Sequence, residues 1–91
     1  MPPGHQRPLN ARERAVIDFE REWFTLPGNK DANIVRVLGI SASTYRRTLL
    51  NAVDRTAAFV YDPLTVARVR RQRDARRRER HEGRRADPRG R

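Results

Sequence analysis

The sequence lacks several residue types, and each absence excludes a class of function. There is no cysteine, so disulfide bonds, thiolate zinc sites and cysteine nucleophiles are excluded. The two histidines stand near opposite ends of the chain, and the five glycines form no phosphate-binding loop. No apolar run approaches the ~20 residues of a membrane span, and the polar start is unlike a signal peptide. We therefore expect a cytoplasmic protein that is not an enzyme and that binds no metal, cofactor or membrane.

Arginine is in excess, and its position along the chain is informative. The 91 residues contain 21 Lys+Arg against 11 Asp+Glu, which gives a formal net charge of +10. Residues 1–69 carry a net +3, whereas residues 70–91 carry +7 and only two apolar residues, both alanine. This division predicts a lead-in at 1–8, a folded domain at 9–69 and an arginine-rich tail at 70–91, helical or disordered. The tail has too little apolar surface to offset its ordering entropy without an anionic partner.

Apolar residues of the domain recur at helical spacing, which predicts an all-α fold of three to four helices. Asn10 and Glu13 form a capping-box pattern that begins a first helix of about 15 residues, ended by Pro27. Its inner stripe consists of Ala15, Val16, Phe19, Trp23 and Leu26. On its exposed side we expect Asp18, Glu20 and Glu22.

Turn signals divide the rest of the domain. Asp31 is expected to cap a short second helix over 32–38, and Gly39 to end that helix in the left-handed conformation. Ser41 then caps a third helix whose apolar seam continues without a break to Val60. Asp62-Pro63 begins a fourth helix. The inner residues expected in these helices are Ile34, Val35 and Leu38, then Tyr45, Leu49, Ala52, Val53, Phe59 and Val60, then Leu64, Val66, Ala67 and Val69.

Residues 31–51 combine a short helix, a Gly39-Ile40-Ser41 turn and a longer helix, the pattern of a helix-turn-helix. The stretch NIVRVLGISASTYRRTLLNA resembles the helix-turn-helix of bacterial sigma-factor region 4 and of response-regulator DNA-binding domains, with Val35 and Thr48 as departures. Residues 9–80 resemble a family of small actinobacterial proteins that have this motif and a basic C-terminus, and for which no activity is established. The motif implies binding to duplex DNA, with residues 42–60 as the recognition helix in the major groove.

The resemblance also implies which side chains contact DNA. Either Arg46 or Arg47 suits two hydrogen bonds to guanine, and the side chains expected at base edges are Ala42, Ser43, Arg46 and Arg47. Ser41 and Thr44, at the helix N-terminus, suit phosphate oxygens. Farther along, arginines surround a helix instead of lining one face, so we expect them to contact phosphates without sequence preference. They are Arg68, Arg70, Arg71, Arg73, Arg76, Arg77, Arg78 and Arg80.

Three functions stay open on these residues. The first is a DNA-binding transcription regulator or nucleoid-associated protein of the bacterial nucleoid. The second is a protein–protein module that docks on RNA polymerase, and the third is an RNA- or ribosome-binding protein that acts through the tail. A homodimer is compatible with the first function, because helix-turn-helix proteins often read two half-sites, but no sequence element indicates how two copies would pair.

Overall fold

The computed structural model describes the backbone of residues 7–85 and the side chains of residues 7–81. Five α-helices account for most of this range. They are α1 (Ala11–Glu22), α2 (Lys30–Leu38), α3 (Ala42–Ala52), α4 (Thr56–Tyr61) and α5 (Pro63–Arg85). Because this range contains no strand, the predicted all-α class is confirmed. The predicted lead-in and tail extend beyond it, so residues 1–6 and 86–91 lie outside the described residues.

The first helix begins at the predicted capping box. The Glu13 N–H donates to Asn10 Oδ1 at 2.8 Å, and the Asn10 N–H donates to Glu13 Oε1 at 2.9 Å. After Glu22 the α-helix tightens into one 3-10 turn (Trp23–Thr25), in which the Leu26 N–H donates to Trp23 O at 3.0 Å. Pro27 follows with no N–H of its own, which prevents the α-helix from continuing. The predicted helix of about 15 residues is therefore an α-helix followed by a 3-10 turn.

The start of α2 differs from the prediction by two residues. Asn29, and not Asp31, caps this helix, since Asn29 Oδ1 accepts from the Ala32 N–H at 3.0 Å. Its inner face also differs, because Asn33 is buried while Val35 is 55% exposed. The Asn33 side-chain amide donates to Pro27 O at 3.0 Å, so a satisfied polar group takes the place that we predicted for a valine.

The predicted continuous helix over 42–60 is wrong, because α3 ends at Ala52 and α4 begins only at Thr56. Between them Arg55 has an extended backbone, with φ −88° and ψ 141°. That conformation lets its guanidinium reach α1, where Nη1 donates to Glu13 Oε1 at 2.7 Å. Arg55 Nη2 also donates to the backbone carbonyls of Arg7 and Pro8. The chain thus gives up helical hydrogen bonds to form a buried ion pair.

The last helix, α5, begins at the predicted punctuation. Asp62 Oδ1 accepts from the Thr65 N–H at 3.2 Å and so caps the helix. Its buried side is Thr65, Val66 and Val69, whereas Leu64, predicted inside, is 83% exposed. The helix continues without interruption across the charge boundary at 69/70 as far as Arg85. No helix among the described residues is both long and apolar enough to cross a membrane.

The core lies between α1 and the helices that pack on it, mainly α3 and α5, with α4 against α5 and α2 against α3. A left-handed Gly39 (φ 71°) turns the chain from α2 towards α3, and its N–H donates to Val35 O at 2.9 Å. The buried apolar residues are Leu9, Val16, Ile17, Phe19, Ile34, Tyr45, Leu49, Ala52, Val53, Ala58, Val66 and Val69.

Candidate nucleic-acid interface

One side of α3 is held firmly by α1. Tyr45 is 1% exposed and packs edge-to-face on Phe19, with ring centroids 5.5 Å apart. Its hydroxyl donates to Glu20 Oε1 at 2.5 Å. Burial, together with this donation to a carboxylate, raises the pKa of Tyr45 far above its ordinary value. The phenol therefore stays protonated and keeps α3 fixed by a hydrogen bond as well as by packing.

The opposite side of α3 faces solvent and carries the residues predicted at base edges. Ser43, Arg46 and Arg47 are exposed, whereas Ala42 is half-buried. Arg46 Nη1 lies 3.6 Å from Asp31 Oδ1, an ion pair in which both side chains are 58% exposed. Arg47 forms no hydrogen bond or ion pair with any residue in the described range. An exposed ion pair such as that of Arg46 with Asp31 contributes little to stability. The guanidiniums of Arg46 and Arg47 are therefore both available to a ligand.

The two hydroxyl residues at the N-terminus of α3 bind each other. Ser41 Oγ accepts from the Thr44 N–H at 3.1 Å and donates to Thr44 Oγ1 at 3.0 Å. This arrangement caps the helix, and it leaves Ser41 exposed and Thr44 half-buried. The phosphate contacts predicted for Ser41 and Thr44 stay predictions, and the structure adds a capping role for the pair.

The arginines of α5 fall into two groups. In its first half three of the four guanidiniums, all but that of Arg71, bind the protein itself: Arg68 Nη2 donates to Glu20 O at 2.7 Å, and Arg70 Nε donates to Val53 O at 2.6 Å. These carbonyls belong to the C-terminal ends of α1 and α3. The last four carbonyls of an α-helix have no N–H donor within the helix, so they can accept from arginine. Arg73 Nη1 binds both carboxylate oxygens of Asp54, at 2.9 and 3.0 Å. The phosphate contacts predicted for these three residues would compete with contacts already made.

The remaining arginines predicted to contact phosphate are exposed on α5. None of them forms an ion pair with a side chain of residues 7–81. Because they follow one another closely on one helix, they give its second half a dense positive charge. They are Arg71, which lies in the first half, and Arg76, Arg77, Arg78 and Arg80 in the second half.

A cleft of about 300 Å³ between α3 and α5 brings the two predicted sets of residues together. Arg46 lines it from α3, while Arg73, Arg76 and Arg80 line it from α5. Lys30 adds a fifth cation, against the two carboxylates of Glu20 and Asp31. Its apolar lining comes from Ile34, Leu49, Leu50 and Val69. The charge balance of the cleft favours an anionic occupant.

Comparison with known proteins places the chain in a family. The model of a family described as "Protein of unknown function (DUF3263)" matches residues 8–81. The chain belongs to this family. No curated protein and no solved structure matches the chain. The matched range begins just before α1 and ends within α5, so the DUF3263 domain includes both walls of the cleft.

Two buried contacts of this DUF3263 domain were not predicted from the sequence. Glu20, predicted on an exposed face, is 4% exposed and binds both Tyr45 and Lys30, whose Nζ lies 3.1 Å from Glu20 Oε1. Arg55, which was assigned no role, is the buried partner of Glu13. A signal for the carboxylates was present, because positions 13 and 20 continue the three- and four-residue steps of the buried stripe. Their partners lie 25 and 42 residues away, and nothing local in the sequence indicates them.

Proposed function

We propose that this DUF3263 protein binds duplex DNA, with α2 and α3 acting as a helix-turn-helix of the kind found in sigma-factor region 4. The observation that supports this most directly is the division of α3 into a buried side and an exposed side. Tyr45, Leu49 and Ala52 fix the helix to the domain, while Ser43, Arg46 and Arg47 face outward. A helix held along one side and polar along the other is what entry into the major groove requires.

The cleft supports a second part of the proposal, in which one DNA backbone strand follows the groove between α3 and α5. An arginine near a base edge forms two hydrogen bonds to guanine, worth about 1–3 kcal/mol against the wrong base. Arginines on phosphates supply affinity without sequence information. We therefore assign sequence preference to Arg46 and Arg47, and general affinity to Arg76, Arg77, Arg78 and Arg80 on α5. On this proposal the protein is a small transcription regulator or a nucleoid-associated protein.

The experiment is a binding titration with fluorescent duplexes across a salt series, after selection of a preferred sequence from a random duplex pool. We expect Arg47→Ala to reduce the ratio of selected to scrambled affinity by about 5- to 150-fold. The matched control is Arg12→Ala, which removes the same charge from an exposed site on α1. In the control we expect that ratio to be unchanged.

The outcomes separate the alternatives. If the selection yields no preferred sequence but the wild type still binds every duplex, the charge-driven role of α5 stands and the helix-turn-helix reading fails. Tighter binding to RNA than to duplex DNA at every salt concentration would favour an RNA- or ribosome-binding protein. No binding to any nucleic acid at low salt would contradict the proposal and favour docking on a protein such as RNA polymerase.

A further inference from the structure

A second exposed surface lies where α4 meets α5, and it is apolar. Val60 is 75% exposed, Leu64 is 83% exposed and Tyr61 is 42% exposed, all within five positions of the chain. Single exposed apolar residues are ordinary on protein surfaces, but groups of large ones mark sites of interaction. We call these three residues the α4–α5 patch.

A groove of about 550 Å³ adjoins this patch. Pro8, Leu9 and Ala57 form its apolar lining together with Val60 and Tyr61 of the patch. None of its lining residues belongs to the cleft between α3 and α5. The groove can therefore take a ligand of its own while the cationic cleft is occupied.

The charges around the patch are balanced, unlike those of the cleft. Tyr61 donates its hydroxyl to Asp18 Oδ1 at 2.8 Å. Arg21 Nη1 lies 3.0 Å from Asp62 Oδ2 and 3.4 Å from Asp18 Oδ1. Arg14 is the one charged residue of the groove lining, and with Arg21 the two arginines match the two aspartates beside the patch. An anionic polymer gains nothing from such a surface.

We propose that the α4–α5 patch is the contact between two copies of this chain. A two-fold interface brings a surface against itself, so it must be self-complementary. Surfaces of one sign, such as the second half of α5, repel their own copy. The patch satisfies the requirement, because its apolar centre can be buried against its copy and because the arginine and aspartate charges beside it balance, so that two copies do not repel each other there. The dimer does not depend on DNA binding, although it would present two copies of α3.

Salt distinguishes this association from binding to nucleic acid. Each copy carries a formal net charge of +10, so the two copies repel each other at long range. Added salt screens this repulsion and leaves apolar burial intact. The dimer should therefore become tighter as salt is raised, whereas DNA binding becomes weaker. The two proposals can thus fail separately.

The test is the oligomeric state of the full chain, measured by sedimentation equilibrium from micromolar to submillimolar concentration at two salt concentrations. The wild type should show a reversible monomer–dimer equilibrium. The variant Val60→Glu/Leu64→Glu places two carboxylates in the contact, and its dissociation constant should rise by at least about 30-fold, as expected for residues central to an interface. The matched control is Val35→Glu, at a valine on α2 that is 55% exposed, and its dissociation constant should equal that of the wild type.

Circular dichroism and thermal melting check the fold of each variant. Since dimerisation stabilises the folded state by mass action, the Tm of the wild type should rise with protein concentration and that of the double variant should not. A wild type that is monomeric at every concentration would overturn the proposal and assign the patch to a different partner. An equal loss of dimer in Val35→Glu, or dissociation of the dimer by added salt, would overturn it as well.

Discussion

The two halves of α5 use the same residue for different purposes. In the first half, Arg68 and Arg70 donate to carbonyls at the ends of α1 and α3, and Arg73 binds Asp54. In the second half, Arg76, Arg77, Arg78 and Arg80 are exposed and form no ion pair with the side chains of residues 7–81. One helix therefore stabilises the domain near its start and presents charge near its end.

The difference shows that the environment of an arginine, and not its place in a charge run, determines what it does. A guanidinium near the unpaired carbonyls of a helix end gains hydrogen bonds and a favourable helix dipole. A guanidinium beyond the reach of the domain has only water until a ligand arrives. Replacing arginines with glutamine in one half or the other therefore separates their role in stability from their role in binding an anionic ligand.

The largest effect is expected from the second half of α5. Replacing Arg76, Arg77, Arg78 and Arg80 with glutamine should reduce affinity for scrambled duplex DNA by about a thousandfold at moderate salt, because four fewer counterions are released. The slope of log affinity against log salt should decrease in magnitude by about 3.6. Binding titrations at several salt concentrations measure both quantities. An unchanged slope would show that these arginines do not contact phosphate.

The next effect concerns an arginine that is buried instead of exposed. Replacing Arg55 with methionine leaves the Glu13 carboxylate buried without its partner, and should lower the free energy of unfolding by about 3 kcal/mol. Urea denaturation followed by circular dichroism measures this change. Arg12→Met, at an exposed site on α1, is the control and should be neutral. Equal stability of the two variants would show that the ion pair contributes nothing.

The same pair predicts a pH dependence. Burial alone would raise the pKa of Glu13, but the Asn10 N–H and the Arg55 guanidinium outweigh burial and hold the pKa below its ordinary value of 4.5. A carboxyl with a lowered pKa stabilises the folded state above its ordinary pKa, and this contribution is lost as the pH falls through the lower value. The stability difference between wild type and Arg55→Met should therefore shrink in acid. A difference that is constant down to low pH would contradict this assignment.

A smaller effect is expected from the first half of α5. Replacing Arg68 and Arg70 with glutamine removes the two hydrogen bonds to helix ends, and removes the Arg70 guanidinium that lies 5.4 Å from the centre of the Phe59 ring. We expect a loss of about 2 kcal/mol in the free energy of unfolding. The salt slope of DNA binding should stay within about one unit of the wild type. A large loss of slope would place these residues on phosphate and remove the distinction between the halves.

Much of the fold could be predicted because its signals are local. The capping box at Asn10, the left-handed Gly39 and the Ser41 and Asp62 caps all lie within three or four residues of the groups that they bind, and the structure contains each of them. Each cap binds a backbone group of its own helix end, so local backbone conformation alone sets the geometry of the hydrogen bond. Only Asn29 took a capping role that was assigned to a neighbour.

The break between α3 and α4 could not be predicted, because its cause is distant. The apolar seam from Tyr45 to Val60 is compatible with one helix, and the favourable alternative is visible only when Glu13, 42 residues away from Arg55, lies beside the chain. The division of α5 is distant in the same way, since Arg68 and Arg70 bind carbonyls 48 and 17 residues away. Of the predicted interface, the exposed side of α3 followed from periodicity, whereas the cleft it shares with α5 required the packed structure.

The smallest predicted effect is at the residue from which α5 begins. Asp62 accepts from the Thr65 N–H and from Arg21, and although burial alone would raise its pKa, these hydrogen bonds hold the pKa below the ordinary value of 3.8. Asp62→Ala should lower the free energy of unfolding by about 1 kcal/mol near neutral pH, the usual cost of a lost N-cap. Above pH 3.8 the full difference from wild type should be present, and it should vanish as the pH falls through the lower value of the folded state.

Glu22→Ala, at an exposed carboxylate on the last turn of α1, should cost less than half as much in the same urea titrations. Because the cap acts on the first half of α5 alone, Asp62→Ala should leave the salt slope of DNA binding unchanged, and a shift of that slope would mean that the two halves respond as one unit.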